Sequence, residues 1–321
     1  MKKKILILSG DPNSINSELI YKCWKKIDNS LKKKIYLISN YNLLEAQFKK
    51  LKYSIKIIKI KNKNEIIKTN KLKIIDVDIK YRKPFDVKNI YSSQFVINCL
   101  NKAHDYAQDN DVAGLINCAI DKKLLNKKFM GVTEYLASKC NVINASEVML
   151  IHNKKVSVVP LTTHIDVKNI SKKLNSKTII NKVKTIDSWF KNQFKRKPRL
   201  GILGLNPHNA EMRSNSEEKN LIIPTILKLK KKGFNIKGPL ISDTVFISDY
   251  KKFDIIIGMY HDQVLAPFKA IFKFDAINIT LGLKYIRVSP DHGTAVDLIG
   301  KNKANTKSLL GCINFINRYA K

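Results

Sequence analysis

Three histidines carry the most distinctive chemistry in this chain. His164 follows Lys155–Pro160 and Leu161-Thr162-Thr163, His208 follows Arg199–Leu205 and Asn206-Pro207, and His261 follows Ile255–Ile257, Gly258 and Tyr260. Each lies just past a predicted strand end. Strand ends in a parallel sheet converge on one rim, so three such histidines can meet there. Three neutral imidazoles suit a borderline divalent ion such as zinc and leave a position open for substrate. The intervals of 44 and 53 residues are no local metal motif, and the competing reading is three separate structural histidines. His104, on a long predicted helix, and His152, at a strand end, read as structural. His292, in the turn Asp291-His292-Gly293-Thr294-Ala295, fits either role.

Cations and amides follow His261 closely. Lys269, Asn278 and Arg287 lie downstream, and an amide with two cations near a metal suits an anionic, phosphorylated small molecule. Lys269 alone says little in so lysine-rich a chain; Arg287 says more, because arginine is rare here. Thr133, at a predicted helix start after Gly131-Val132, can donate to an anion beside backbone amides, or simply cap the helix.

These residues need a scaffold, and the hydrophobic pattern supplies one. Apolar runs at 5–9, 34–39, 54–60, 73–79, 112–118, 146–152, 155–160, 199–205, 234–240, 255–257 and 276–281 read as strands. Helical spacing appears at 16–29, with Asn16 or Ser17 as its cap, and at 41–52, 86–110, 167–174, 177–194, 217–232 and 306–319. The lysine- and asparagine-rich stretch between 60 and 73 reads as a solvated loop. Alternating strands and helices predict an α/β chain with a mainly parallel sheet. No GxGxxG follows a strand, so a Rossmann dinucleotide site is not supported.

Composition narrows the partners. The chain has 321 residues, enough for one large or two medium α/β lobes, and a formal net charge of +34. Arginine occurs only at 82, 196, 199, 213, 287 and 318, so 54 of the 60 basic residues are lysine, spread among Ile and Asn. Arginine is the preferred reader of bases and phosphates, and its scarcity argues against nucleic acid as the partner. The charge instead favours anionic substrates. Five cysteines, 23, 99, 118, 140 and 312, show no paired spacing and read as free thiols. The apolar run Ile5–Leu8 is too short for a signal peptide, and no run approaches membrane length, so a cytoplasmic location without a membrane partner is expected.

Taken together, these motifs resemble the 4-hydroxythreonine-4-phosphate dehydrogenase family of vitamin B6 biosynthesis. The resemblance rests on Gly10-Asp11-Pro12 with Glu18, Gly131 with Thr133-Glu134, LTTHI at 161–165, LGLNPH at 203–208 with Glu211, and Glu217-Glu218. It continues with GPL at 238–240, Asp243-Thr244, MYHDQ at 259–263, Lys269, NITLGL at 278–283, Arg287 and DHGTA at 291–295. It is dense from Thr162 onward and thin before about residue 110.

The resemblance implies two α/β/α lobes around a central cleft, as in isocitrate and isopropylmalate dehydrogenases. It implies residues 1–125 and 255–321 as the lobe carrying the cofactor loop, and 126–254 as the lobe carrying two metal histidines and the dimer contact. A homodimer with its active site at the interface is expected. The metal ligands implied are His164, His208 and His261, for zinc, with magnesium and cobalt as alternatives. Substrate residues carry over to Thr133, Lys269, Asn278 and Arg287. His292, Gly293, Thr294, Ala295 and Asp297 belong to a loop similar to the one that holds the adenosine end of NAD, or NADP. The implied reaction is NAD-dependent oxidation and decarboxylation of 4-phosphohydroxy-L-threonine to 3-amino-2-oxopropyl phosphate, with Lys269 and Asp243 as candidates for proton transfer.

Some residues depart from the family pattern. Val132 stands where the family has a histidine, and an apolar side chain cannot donate a hydrogen bond. Asn13-Ser14-Ile15-Asn16 replaces a glycine-rich turn, and glycines are also missing around Met212 to Ser216. These departures leave room for a paralogue oxidising a related phosphorylated sugar acid, such as a phosphothreonate or phosphoerythronate, or for a non-catalytic member.

Overall fold

The computed structural model describes residues 3–65, 69–125, 131–142 and 146–319. The backbone forms two compact units, Met1–Cys140 with Lys284–Lys321, and Asn141–Leu283. The first unit opens with β1 (Lys4–Leu8), α1 (Asn16–Lys26), α2 (Asn29–Lys34), β2 (Ile35–Ser39) and α3 (Tyr41–Lys50). β3 (Ile57–Ile60), β4 (Leu72–Asp76), α4 (Asn89–Ala107), β5 (Val112–Asn117) and α5 (Val132–Lys139) follow. β1 and β2 are buried at every position, the continuous apolar pattern of strands covered on both faces. All pairings are parallel, in the order β3-β4-β2-β1-β5. Asp28 caps α2 and Asn40 caps α3 through the amides of Leu31 and Leu43. α1 starts after Ile15 without a side-chain cap; of the two expected caps, Asn16 and Ser17, Asn16 instead donates from Nδ2 to the Ala119 carbonyl. Of the expected loop between 60 and 73, residues 66–68 lie outside the described residues, as does residue 126, the expected start of the second lobe.

The second unit holds β6 (Val148–His152), β7 (Ser157–Thr162), α6 (Ile170–Lys173), α7 (Ser176–Phe194), β8 (Leu200–Leu203) and α8 (Ile223–Lys231). It continues through β9 (Ile236–Leu240), α9 (Ser242–Val245), β10 (Ile255–Tyr260), α10 (His261–Phe272) and β11 (Ile277–Leu281). Its strands run β11-β6-β7-β10-β8-β9. β7, β10, β8 and β9 are parallel; β6 is antiparallel to both neighbours. Val158, Leu203, Ile256, Val264 and Phe268 pack with Phe246, Tyr250 and Phe253 in its core. The chain then returns to the first unit with β12 (Arg287–Pro290), parallel to β5, and α11 (Lys307–Tyr319), whose buried face is Leu309, Cys312, Ile313, Phe315 and Ile316.

The α/β class and alternating order match the sequence expectation, but the division differs. The expected breaks at 125/126 and 254/255 move to 140/141 and 283/284. β10 hydrogen-bonds to β7 and β8, and β11 to β6, so 255–283 belong with the second unit. α5 stays with the first, where Tyr135 Oη donates to Asn101 on α4. All three candidate metal histidines, not two, therefore lie in one unit. Four elements escaped the pattern: the short helices α2 and α9, α10, which opens on three polar residues and contains Pro267, and β12, only four residues long.

Candidate active site

The three histidines follow the carboxyl ends of three neighbouring parallel strands. Tyr260 is in register with Thr162, and Ile257 with Ile202, so β7, β10 and β8 end side by side. His164 lies two residues past β7, His261 opens α10 directly after β10, and His208 sits in the turn after β8. The His164 and His261 rings are 6.1 Å apart, centre to centre. His261 Nδ1 lies 2.6 Å from Asp262 Oδ1, which leaves Nε2 as the ring nitrogen available to a ligand. His208 Nε2 lies 3.6 Å from Asp243 Oδ2, and both side chains are exposed.

The backbone here is costly. His164 has φ 49°, and every residue from His208 to Met212 has positive φ, between 48° and 57°. A left-handed conformation costs roughly 1–2 kcal/mol per non-glycine residue. Strain of that size persists only where surroundings enforce it, and it concentrates at functional sites. Glu218, fully buried, holds the approach to the His208 turn: its carboxylate accepts from the Leu205 and Asn206 amides at 2.7 and 2.8 Å and from Asn206 Nδ2. Burial pushes the Glu218 carboxyl up, but the hydrogen bonds from Asn206 and Leu205 outweigh it and hold it below its ordinary value. Met212, in the segment that lacks the family's glycines, is part of this run.

Zinc bonds imidazole nitrogen at about 2.0–2.1 Å, and two rings at the His164–His261 separation can share one such ion. His208 arrives at the same rim but turns toward Asp243. Among the described residues, no three His, Cys, Asp or Glu side chains stand in ligating geometry as a group. The donor set fits a borderline divalent ion, with two of its three rings already together.

Lys269 is exposed, two turns along α10 from His261. Asn278 sits on β11 opposite Ile151, and its buried Oδ1 has no hydrogen-bond partner among the described residues, which suits it to accept from a ligand.

In the first unit, Arg287 is buried at the start of β12. Its Nε donates to Asn117 Oδ1 at 2.7 Å and its Nη1 to Thr133 Oγ1 at 3.2 Å. Burial pushes its pKa down to about 10, which still leaves it charged at neutral pH. Thr133 is the second residue of α5, after the extended N-cap Gly131, and half-buried Val132 precedes it without a polar group to offer. Asn117 was not singled out in the sequence; its signal is an amide closing the apolar strand β5. The turn Asn13–Asn16 holds without the family's glycines. Asn13 exchanges hydrogen bonds with the Val87 backbone, and Ser14 Oγ donates to the Asp11 carbonyl.

The loop from His292 to Asp297 lies against α1. Thr294 O accepts from Ile15 N, Ala295 takes a left-handed backbone, and Asp297 is exposed. His292 Nδ1 faces Gly293 O at 2.9 Å, and its buried Nε2 has no partner among the described residues. Gly293 is exposed with open space around it. Glu18 Oε1 fixes the end of the same loop by accepting from Ala304 N. An unpartnered ring nitrogen beside an open glycine fits a nucleotide ligand. The remaining histidines are structural. His104 pairs with Tyr285 Oη at 3.0 Å, and His152, pushed down to about 4 by burial, with Ser157 Oγ at 2.9 Å.

Comparison with known proteins bears on these geometries. Residues 12–316 match the family described as pyridoxal phosphate biosynthetic protein PdxA. The 4-hydroxythreonine-4-phosphate dehydrogenase of Sulfurihydrogenibium sp. is 35% identical over 97% of this chain and 96% of its own. A protein of Oceanobacillus iheyensis, provisionally named D-threonate 4-phosphate dehydrogenase, is 29% identical over 98% of this chain and 97% of its own. A crystal structure of 4-hydroxythreonine-4-phosphate dehydrogenase from Klebsiella pneumoniae, 26% identical, superposes with a TM-score of 0.86 over 99% of this chain and all of that one. With the match running almost end to end, the chain belongs to the family of the pyridoxal phosphate biosynthetic protein PdxA.

Proposed function

We propose that this chain is an NAD-dependent dehydrogenase. It oxidises and decarboxylates 4-phosphohydroxy-L-threonine to 3-amino-2-oxopropyl phosphate, on the way to pyridoxal phosphate. The observation that carries the reading is the convergence of three imidazole-bearing turns on neighbouring strand ends, in a chain matched to its family over residues 12–316.

The residues divide the work as follows. Arg287 and Thr133 bind the anionic substrate, with Asn117 fixing the guanidinium plane. Lys269 adds a second cation, and Asn278 offers its free acceptor to a substrate N–H or O–H. His164, His208 and His261 would hold a divalent ion, zinc or alternatively magnesium or cobalt, which would supply a Lewis acid toward the substrate's secondary hydroxyl. His292, Gly293, Thr294, Ala295 and Asp297 would hold NAD, or NADP, which when bound would supply the two-electron oxidant for the carbon bearing that hydroxyl, while the hydroxyl proton goes to a base. The resulting β-keto acid loses carbon dioxide, and a proton returns to carbon. Asp243 and Lys269 are the groups suited to these proton transfers. Asp243 stands 3.6 Å from His208, and both are open to solvent for exchange. The enzyme acts as a homodimer.

A second reading, oxidation of D-threonate 4-phosphate, draws on the apolar Val132 at the head of α5 and on the Oceanobacillus relative. Comparing kcat/KM for the two phosphorylated acids, by NADH absorbance, decides between them. A clear preference for 4-phosphohydroxy-L-threonine is expected, and a preference for D-threonate 4-phosphate contradicts the first reading.

A further inference from the structure

The strand ends that carry the histidines are tied together by two polar side chains outside the ligand set, Gln263 and half-buried Thr162. Gln263 is buried in the first turn of α10. Its Oε1 accepts from Met259 N at 2.7 Å, and its Nε2 donates to Gly204 O at 2.7 Å. Thr162 Oγ1 donates to Met259 O, also at 2.7 Å. One run of hydrogen bonds thus passes from Thr162 through Met259 and Gln263 to Gly204, across the ends of β7, β10 and β8. Thr162 lies two residues before His164, Met259 two before His261, and Gly204 four before His208.

The ladder between β10 and β8 stops at Ile257–Ile202, while that between β10 and β7 continues to Tyr260–Thr162. Gln263 therefore replaces the missing rungs where β10 and β8 part. The bridge needs an acceptor and a donor on one side chain, which an amide supplies and a carboxylate does not. Gly258 leaves room for it: a Cβ there would come within 3.0 Å of Gln263 Oε1.

We propose that Gln263 is a positioning residue: by bridging Met259 to Gly204 it sets the spacing of the His261 and His208 turns, and through it the affinity of the site for a divalent ion. The inference rests on the metal reading above and adds a residue to it. Partners behind metal ligands typically change affinity 10–100-fold when lost.

The test is calorimetric titration of zinc into the purified metal-free chain, its His208→Ala control, and two variants. Gln263→Met removes both hydrogen bonds, and Gln263→Glu keeps the acceptor toward Met259 but loses the donor toward Gly204. The parent is expected to bind zinc, His208→Ala to bind it far more weakly, and both Gln263 variants to melt cooperatively with a Kd raised about 10-fold or more. Cooperatively folded Gln263 variants with a Kd within about twofold of the parent overturn the inference alone. Failure of the parent to bind zinc, or an unchanged Kd in His208→Ala, overturns the metal reading and the inference with it. Loss of cooperative melting in both Gln263 variants also overturns it, because Gln263 would then hold the fold rather than the site.

Discussion

Arg287 illustrates how much rests on single residues here. Its guanidinium is buried and satisfied in part by neutral partners, Asn117 and Thr133. Such a cation, fixed in plane, suits the phosphorylated acid of the proposed function. Lysine cannot reproduce its fork. Arg287→Lys is expected to lower kcat/KM by about 10–100-fold, equivalent to about 1.4–2.7 kcal/mol, with little change in melting temperature; an unchanged kcat/KM would remove Arg287 from the site. Gly204 makes the complementary point about space. A methyl group there meets Asn209 Oδ1 and comes within 3.1 Å of Glu218 Oε1, both buried. Gly204→Ala is expected to lose about 1–3 kcal/mol of stability, measured by denaturant unfolding. At this scale the sequence was legible where residue types are rare: six histidines and six arginines drew attention to His164, His208, His261 and Arg287. Asn117, Gln263 and Glu218 were not singled out for these roles, because amides and carboxylates are common and their importance comes from burial and partners.

Elements of the second unit show where stability and pH meet. Asp254, just before β10, accepts from Arg196 and Arg199 at 2.8 and 3.2 Å, joining the start of β10 to the segment entering β8. Burial pushes this carboxyl up, but the arginine hydrogen bonds outweigh it and hold it well below the usual carboxylate range. Its contribution is therefore present above the unfolded value, about 3.9, and is lost as pH falls below that. His152, at the end of β6, is pushed down to about 4 by burial. It stays neutral in the fold while the unfolded chain takes up a proton near pH 6.5. Its contribution is full above that value and declines as pH drops toward 4. Unfolding free energy is thus expected to fall in two stages, from about pH 6.5 down to 4 and again below about 4. His152→Phe should flatten the first stage and Asp254→Asn the second; the arginines are half-exposed, so Asp254→Asn should cost only about 1 kcal/mol at pH 7. Most elements were legible because buried parallel strands read as apolar runs. β12 and α10 were not, since four residues carry little periodicity and Pro267 reads as a helix breaker.

The charge on the whole molecule shapes what it meets. With a net charge of +34 and phosphorylated acids as the proposed substrates, KM should rise with ionic strength as long-range attraction is screened. A KM independent of salt between about 0.01 and 0.15 M would show that only local contacts matter. No helix among the described residues is long and apolar enough to cross a membrane. Ile247 and Phe274 remain largely exposed in the second unit, and the proposed homodimer gives such side chains a place to be covered. Analytical ultracentrifugation should find a mass of two 36.8 kDa chains, and a monomer at micromolar concentration would refute the dimer. The division into units was the least legible feature, because strand neighbours, not sequence neighbours, decide where 255–283 belong. The central claim, a metal-dependent dehydrogenase of a phosphorylated hydroxy amino acid, has one direct test: NADH formation with 4-phosphohydroxy-L-threonine, repeated after chelation and after zinc is restored. The account predicts turnover that chelator abolishes and zinc returns. Turnover unaffected by complete metal removal, or none with any divalent ion present, would contradict it.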